Sequence, residues 1–120
     1  MSNSDYIYID RAIIDHKVVR QRMHMLALVT VLFSWARSED STAPDERHTE
    51  VLVARGQLAA SEGELCAATS IAPSTLHRAL LQLAGAGLIT REVHERHCVI
   101  TVAHQSEVSR QEGLHAVAAV

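Results

Sequence analysis

Apolar and polar positions alternate with different periods along the chain, and the changes of period mark out its elements. Tyr6-Ile-Tyr-Ile9 alternates ring and β-branched side chains and predicts a short strand or an extended arm. Residues 17–37 predict a long helix, which can begin as early as Asp10; its central run, residues 23–36, is apolar on nearly every side. A surface helix shows one apolar stripe, so this one is expected to be covered on several faces, by its own domain and by a second copy of the chain. Val31, Leu32 and Trp35 are the residues expected nearest that partner helix. Residues 38–49 are polar and acidic, contain Pro44 and show no period, which predicts a loop. Residues 51–55 predict a short strand closed by Gly56.

The stretch from Ser61 onward is more specific. Ser61 and Glu64 have the spacing of a capping box and open a helix. Pro73 suits the first turn of a following helix, where its missing N–H does no harm, and Gly85 and Gly87 end that helix. With Leu76 turned inward, Ala79, Leu80 and Leu83 share its face, and Leu65, Ala68 and Ile71 can close against them. Residues 88–93 and 97–102 then predict a β-hairpin around His94-Glu-Arg96. Helix, turn, helix and hairpin in that order predict a mainly α fold with a small β-hairpin wing, a winged helix-turn-helix. It is expected to occupy residues 1–104, with residues 105–120 as a C-terminal tail.

Such a fold offers its second helix to duplex DNA. The N-terminal outer face of that helix meets base edges in the major groove, and here it carries Ser74, Thr75, His77 and Arg78, with Gln82 one turn on. Arg78 can take a guanine edge or a phosphate, and Gln82 can read adenine. The hairpin adds Arg91, His94 and Arg96. Charge argues less strongly for DNA. The 120-residue chain has a formal net charge of -3. Between residues 51 and 104 the four arginines Arg55, Arg78, Arg91 and Arg96 only balance Glu62, Glu64, Glu92 and Glu95, whereas a duplex-binding face is usually clearly basic. Lys17, Arg20 and Arg22 on the first helix add fixed charge. His77, His94, His97 and His104 can gain protons beside phosphates, so DNA affinity is expected to rise as pH falls. Leu81 points outward on the same helix and suits a protein partner better than a groove.

The order Tyr6-Ile-Tyr-Ile, a long first helix, Ala54-Arg-Gly-Gln-Leu, Ser61, Leu65, Ile71, Ser74-Thr-Leu, Leu80, Leu83 and Gly87-Leu-Ile resembles the N-terminal winged-helix domain of phage replisome organisers and DnaD-type replication initiators. The resemblance runs from about Tyr6 to His104, and the Arg55-Gly56-Gln57 turn is its more particular part. It implies origin DNA binding and self-association. Many members also carry a C-terminal domain for single-stranded DNA and helicase contacts, which has no counterpart in this sequence. The expectation is therefore a small non-enzymatic, homodimeric protein of phage or plasmid type that binds double-stranded DNA in replication initiation or transcription control. The alternative is an interaction factor that uses the same fold on a host protein, such as a phage-encoded inhibitor of host nucleic-acid machinery of the anti-CRISPR kind.

Other chemistry is sparse. His94-x-x-His97-Cys98 invites a metal, but successive strand residues point to opposite faces, so His97 and Cys98 cannot share an ion, and no metal or other cofactor is expected. No nucleophile elbow, phosphate loop or metalloprotease signature is present, and no catalytic residue is expected. Cys66 falls on a helix and Cys98 on a strand, which suits reduced side chains and a cytoplasmic setting. Residues 1–5 lack the basic and apolar regions of a secretory signal, and residues 23–36 are too few to span a bilayer. The acidic groups Glu39-Asp40 and Asp45-Glu46 read as a solvated loop.

Overall fold

The computed structural model describes residues 7–103. Among these residues, five helices and two small antiparallel sheets pack around one aliphatic core. The helices are α1 (Arg11–Ile14), α2 (Lys17–Arg20), α3 (Met23–Trp35), α4 (Glu62–Thr69) and α5 (Pro73–Gly85). The strands are β1 (Ala43–Pro44), β2 (Leu52–Val53), β3 (Gln57–Ala60), β4 (Ile89–Val93) and β5 (Cys98–Val102).

The expected long first helix is broken into three. Asp10 caps α1 by accepting the Ala12 N–H at 3.1 Å, and the His16 ring caps α2 by accepting the Val18 N–H at 3.2 Å. Arg22 is extended at φ -145°, and α3 starts after it. Local side-chain bonds of this kind compete with a continuous helix. The breaks also solve a packing problem. Ile13, Val19 and Met25 are all buried yet lie six residues apart, which on a straight helix rotates each by about 240° from the last. Redirecting the chain lets all three enter the core with Leu28, Val29 and Leu32. α3 is correspondingly less apolar outside than its composition predicts. Its exposed positions are Met23, Leu26, Thr30 and Ser34, so the apolar part of its outer face is confined to the first turns.

β1 pairs with β2 inside the segment expected to be a featureless loop, and only Leu52–Val53 of the expected strand 51–55 joins a ladder. Asp45 corrects the solvated-loop reading: it is 4% exposed. Its carboxylate accepts the N–H groups of Arg47 (2.9 Å), His48 (3.0 Å) and Ala59 (3.0 Å), tying this small hairpin to β3. Gly56, at φ 82°, turns the chain from β2 into β3, a backbone region that disfavours side chains with a Cβ. Gln57 closes that turn, its side-chain oxygen taking the Ala54 N–H at 2.9 Å.

The larger sheet has the order β3-β5-β4, antiparallel throughout, with Gln57 opposite Thr101 and Ile89 opposite Val102. β5 is central and alternates as a half-buried strand does, Cys98, Ile100 and Val102 facing the core. α4 and α5 close the other side. The capping box at Ser61 and Glu64 forms in full, and Pro73 opens α5. Leu76, Ala79, Leu80 and Leu83 are buried as expected, together with Leu65 and Ile71, whereas Ala68 is exposed and takes no part. α5 ends in a Schellman motif: Gly87, at φ 78°, donates to the Ala84 carbonyl, and the Leu88 N–H reaches the Leu83 carbonyl at 3.0 Å. Ile7–Ile9 is not in a strand, although Ile9 packs against the core; Tyr6, His104 and residues 105–120 lie outside the described residues. No helix among the described residues is long and apolar enough to cross a membrane.

Candidate functional site

The outer face of α5 is the best-formed candidate surface. Ser74, His77, Arg78, Leu81 and Gln82 are exposed and Thr75 is half-buried, so the expected outer residues do share one side of the helix. Amphipathic spacing puts them there, because Leu76, Ala79, Leu80 and Leu83 consume the opposite face. Pro73 at N1 and the absence of a side-chain cap at Ala72 leave the helix N-terminus without a local acceptor. Arg78 has no ion-pair or hydrogen-bond partner among the described residues. α2 packs against α5, and Lys17 and Arg20 on α2, with Arg22 after it, are exposed.

Three of the residues expected at the DNA face are paired with carboxylates: Arg91, His77 and His94. Arg91 lies on the same face of β4 as buried Ile89, so period-two geometry carries it inward. Its side chain is 9% exposed and is bound to Glu62 at 3.2 Å, with Cys98 Sγ at 3.7 Å. The same Glu62 carboxylate meets His77 Nδ1 at 2.9 Å. Glu62 thus ties the start of α4 to α5 and β4, and Arg91 is a packing residue rather than a free contact. His94 in turn lies 2.9 Å from a Glu92 carboxylate oxygen. Arg96, at the hairpin end, is exposed and unpaired among the described residues.

The residues expected at a dimer contact divide. Leu32 is fully buried within its own chain and cannot lie nearest a partner helix. Val31 and Trp35 are half-buried against the core, and the Arg47 guanidinium covers the Trp35 ring at 3.8 Å. The apolar side chains that α3 leaves exposed are Met23, at 91%, and Leu26.

A second cluster went unread in the sequence because its members are far apart in the chain. Asp45 fixes the loop that carries His48 against the β4–β5 hairpin end. His48 Nε2 lies 2.6 Å from Glu64 Oε1, and Glu64 also accepts the Ser61 N–H at 2.8 Å. The Glu64 hydrogen bond raises the His48 pKa; burial opposes this, and the charges of Glu64, Glu50 and Asp45 reinforce it. Burial would push Glu64 up, but the Ser61 N–H and His48 together hold its pKa below the usual value. The His97 ring lies 5.5 Å from that of His48 and stacks on His94 at 4.9 Å. Cys98, as expected, turns away from His97 into the core. In the sequence, the Ser61–Glu64 spacing and the His94-x-x-His97 pattern each showed a part of it, but nothing joined them to His48.

No protein-family model, no curated protein and no solved structure matches the chain.

Proposed function

We propose that the chain is a winged helix-turn-helix module without enzymatic activity, that α5 is its recognition helix and β4–β5 its wing, and that it binds double-stranded DNA. The single observation that carries the reading is the exposed outer face of α5, with unpaired Arg78 one turn past Pro73. The element order supports it: α2–α3, β3, α4, α5 and then an antiparallel hairpin, with sheet order β3-β5-β4, is the arrangement in which a second helix stands clear of the body for a groove. The uncapped N-terminus of α5 favours a phosphate, and Arg78 and Gln82 have the chemistry to meet base edges. Lys17, Arg20, Arg22 and Arg96 add exposed fixed charge. The resemblance to replisome organisers and DnaD-type initiators gives the proposed setting, replication initiation or transcription control in a phage or plasmid system. A homodimer belongs to the same proposal, with Met23 and Leu26 as its contact on α3 in place of Leu32.

Titration of a labelled mixed-sequence duplex tests this. About two to five phosphate contacts give a log–log salt slope of roughly -2 to -5. No binding at low salt removes the reading.

A second reading has its own observation. Leu81 is 52% exposed at the centre of the same face, and Glu62 binds both Arg91 and His77. Those features favour an apolar anchor on a protein partner, and Leu81 would be its hot spot.

A further inference from the structure

The loop after β1 and the end of the β4–β5 hairpin bring three metal-ligating groups together. We propose that His48, Glu50 and His97 bind a divalent transition-metal ion of the zinc class. One ligand atom from each lies within 4.8 Å of the others. Two imidazoles and one carboxylate are a donor set that zinc accepts, with the fourth tetrahedral position left to water. Ligand atoms around a tetrahedral zinc stand roughly 3.3–3.6 Å apart given its bond lengths, so closure asks for a movement of about 1 Å. Glu50 is exposed and can supply it.

The orientation of His48 is the stronger point. Its Nε2 faces Glu64 at 2.6 Å and donates there, which leaves Nδ1 turned toward Glu50 Oε1 at 3.6 Å. A histidine that gives one N–H to a carboxylate and turns its other nitrogen to a metal is the usual outer-shell arrangement of such sites. Glu64 is itself immobilised by the capping box, and the His48 backbone is held by Asp45. His97 is positioned by the hairpin turn, where its carbonyl accepts the His94 N–H at 2.8 Å. The groups that aim His48 are thus already in place. The negative groups facing the site are Asp45, Glu50 and Glu64, with Glu92 on the hairpin paired to His94. Two arginines adjoin the ligands in the sequence: Arg47, beside His48, is engaged on Trp35, and Arg96, beside His97, is exposed. A bound ion would fasten the hairpin end to the β1–β2 loop. None of this depends on what α5 binds.

The test is calorimetric titration of the full chain, free of any affinity tag, with ZnCl2 at pH 7.5, alongside the visible d–d absorption of added Co2+. The expected result is one ion per chain and a tetrahedral Co2+ spectrum. Glu50→Gln and His97→Ala each weaken binding at least ~10-fold, and Glu64→Gln, which loses the outer-shell carboxylate charge, weakens it roughly 10-fold. His24→Ala, remote in sequence and without a place in the cluster, leaves binding unchanged. Should His97→Ala lose its far-UV circular dichroism, exposed Glu50→Gln carries the test. No binding up to millimolar free Zn2+, or binding equal in the parent and Glu50→Gln, overturns the site.

Discussion

At the scale of single residues, two carboxylates that look like surface charge hold the molecule together. Asp45 answers three backbone N–H groups, one of them on buried Ala59. Removing an acceptor from a buried donor costs about 1–3 kcal/mol, so Asp45→Ala should lower stability by at least ~2 kcal/mol in urea unfolding. A loss below about 0.5 kcal/mol would mean that water replaces the carboxylate freely. Glu62 has two roles that can be separated. Glu62→Ala leaves the largely buried Arg91 without its partner and should destabilise by roughly 1–3 kcal/mol, less than for a fully buried pair because Glu62 is partly solvated. It also releases Arg91 and His77, so if α5 faces DNA, duplex affinity rises while stability falls. Affinity that drops in step with stability would show that Glu62 acts only through the fold.

The His48–Glu64 pair gives a pH signature, measured with a chelator present. A raised His48 pKa contributes stability below the unfolded value near 6.5 and loses it as pH rises through the folded value. A lowered Glu64 pKa contributes above its unfolded value near 4.3 and loses it as pH falls through the folded one. Their joint contribution is therefore greatest between about pH 4.5 and 6.5. His48→Gln should flatten the decline above that window, seen in urea midpoints across pH; an unchanged slope would contradict the pairing.

At the scale of elements, the second half of the chain was legible and the first half was not. Ser61, Glu64, Pro73, Gly85 and Gly87 each act on their own neighbours, so the cap of α4 and the entry and exit of α5 could be read directly. The hairpin followed from period-two alternation in β5. The first helix failed because composition alone cannot show that His16 and Arg22 leave helical geometry, although the six-residue spacing of Ile13, Val19 and Met25 was a signal against one straight rod. β3 was missed because Leu58-Ala-Ala60 has weak strand propensity and is held by its ladder to β5. In the candidate site, the outer face of α5 was readable from helical periodicity. The burial of Arg91 was implicit in its sharing a strand face with Ile89, but its partner Glu62 lies on another element and needed tertiary structure. One element-level prediction follows from α5 itself. A Cβ at Gly85 meets no atom within 4 Å, and helical glycine costs up to about 1 kcal/mol relative to alanine. Gly85→Ala should raise stability by roughly 0.5 kcal/mol in urea unfolding; a loss would mean that the helix end needs the glycine backbone.

At the scale of the whole molecule, a net charge of -3 and the balance of arginine and glutamate between residues 51 and 104 mean that long-range attraction contributes little, so any duplex affinity must come from a few local contacts. Self-association would strengthen it by presenting two recognition helices at once. The double substitution Met23→Ser and Leu26→Ser should turn a sedimenting dimer into a monomer without loss of helicity. A parent chain that is monomeric at high micromolar concentration would remove the dimer from the proposal. The central claim is narrower, that the outer face of α5 reads DNA through Arg78. It is tested most directly by fluorescence anisotropy of one labelled duplex at low salt, measured for the parent, Arg78→Ala and Leu81→Ser. Loss of a base-edge contact is worth about 1–3 kcal/mol, so Arg78→Ala should weaken binding by roughly 5- to 150-fold while Leu81→Ser leaves it nearly unchanged. An Arg78→Ala chain that binds the duplex as tightly as the parent would contradict the account.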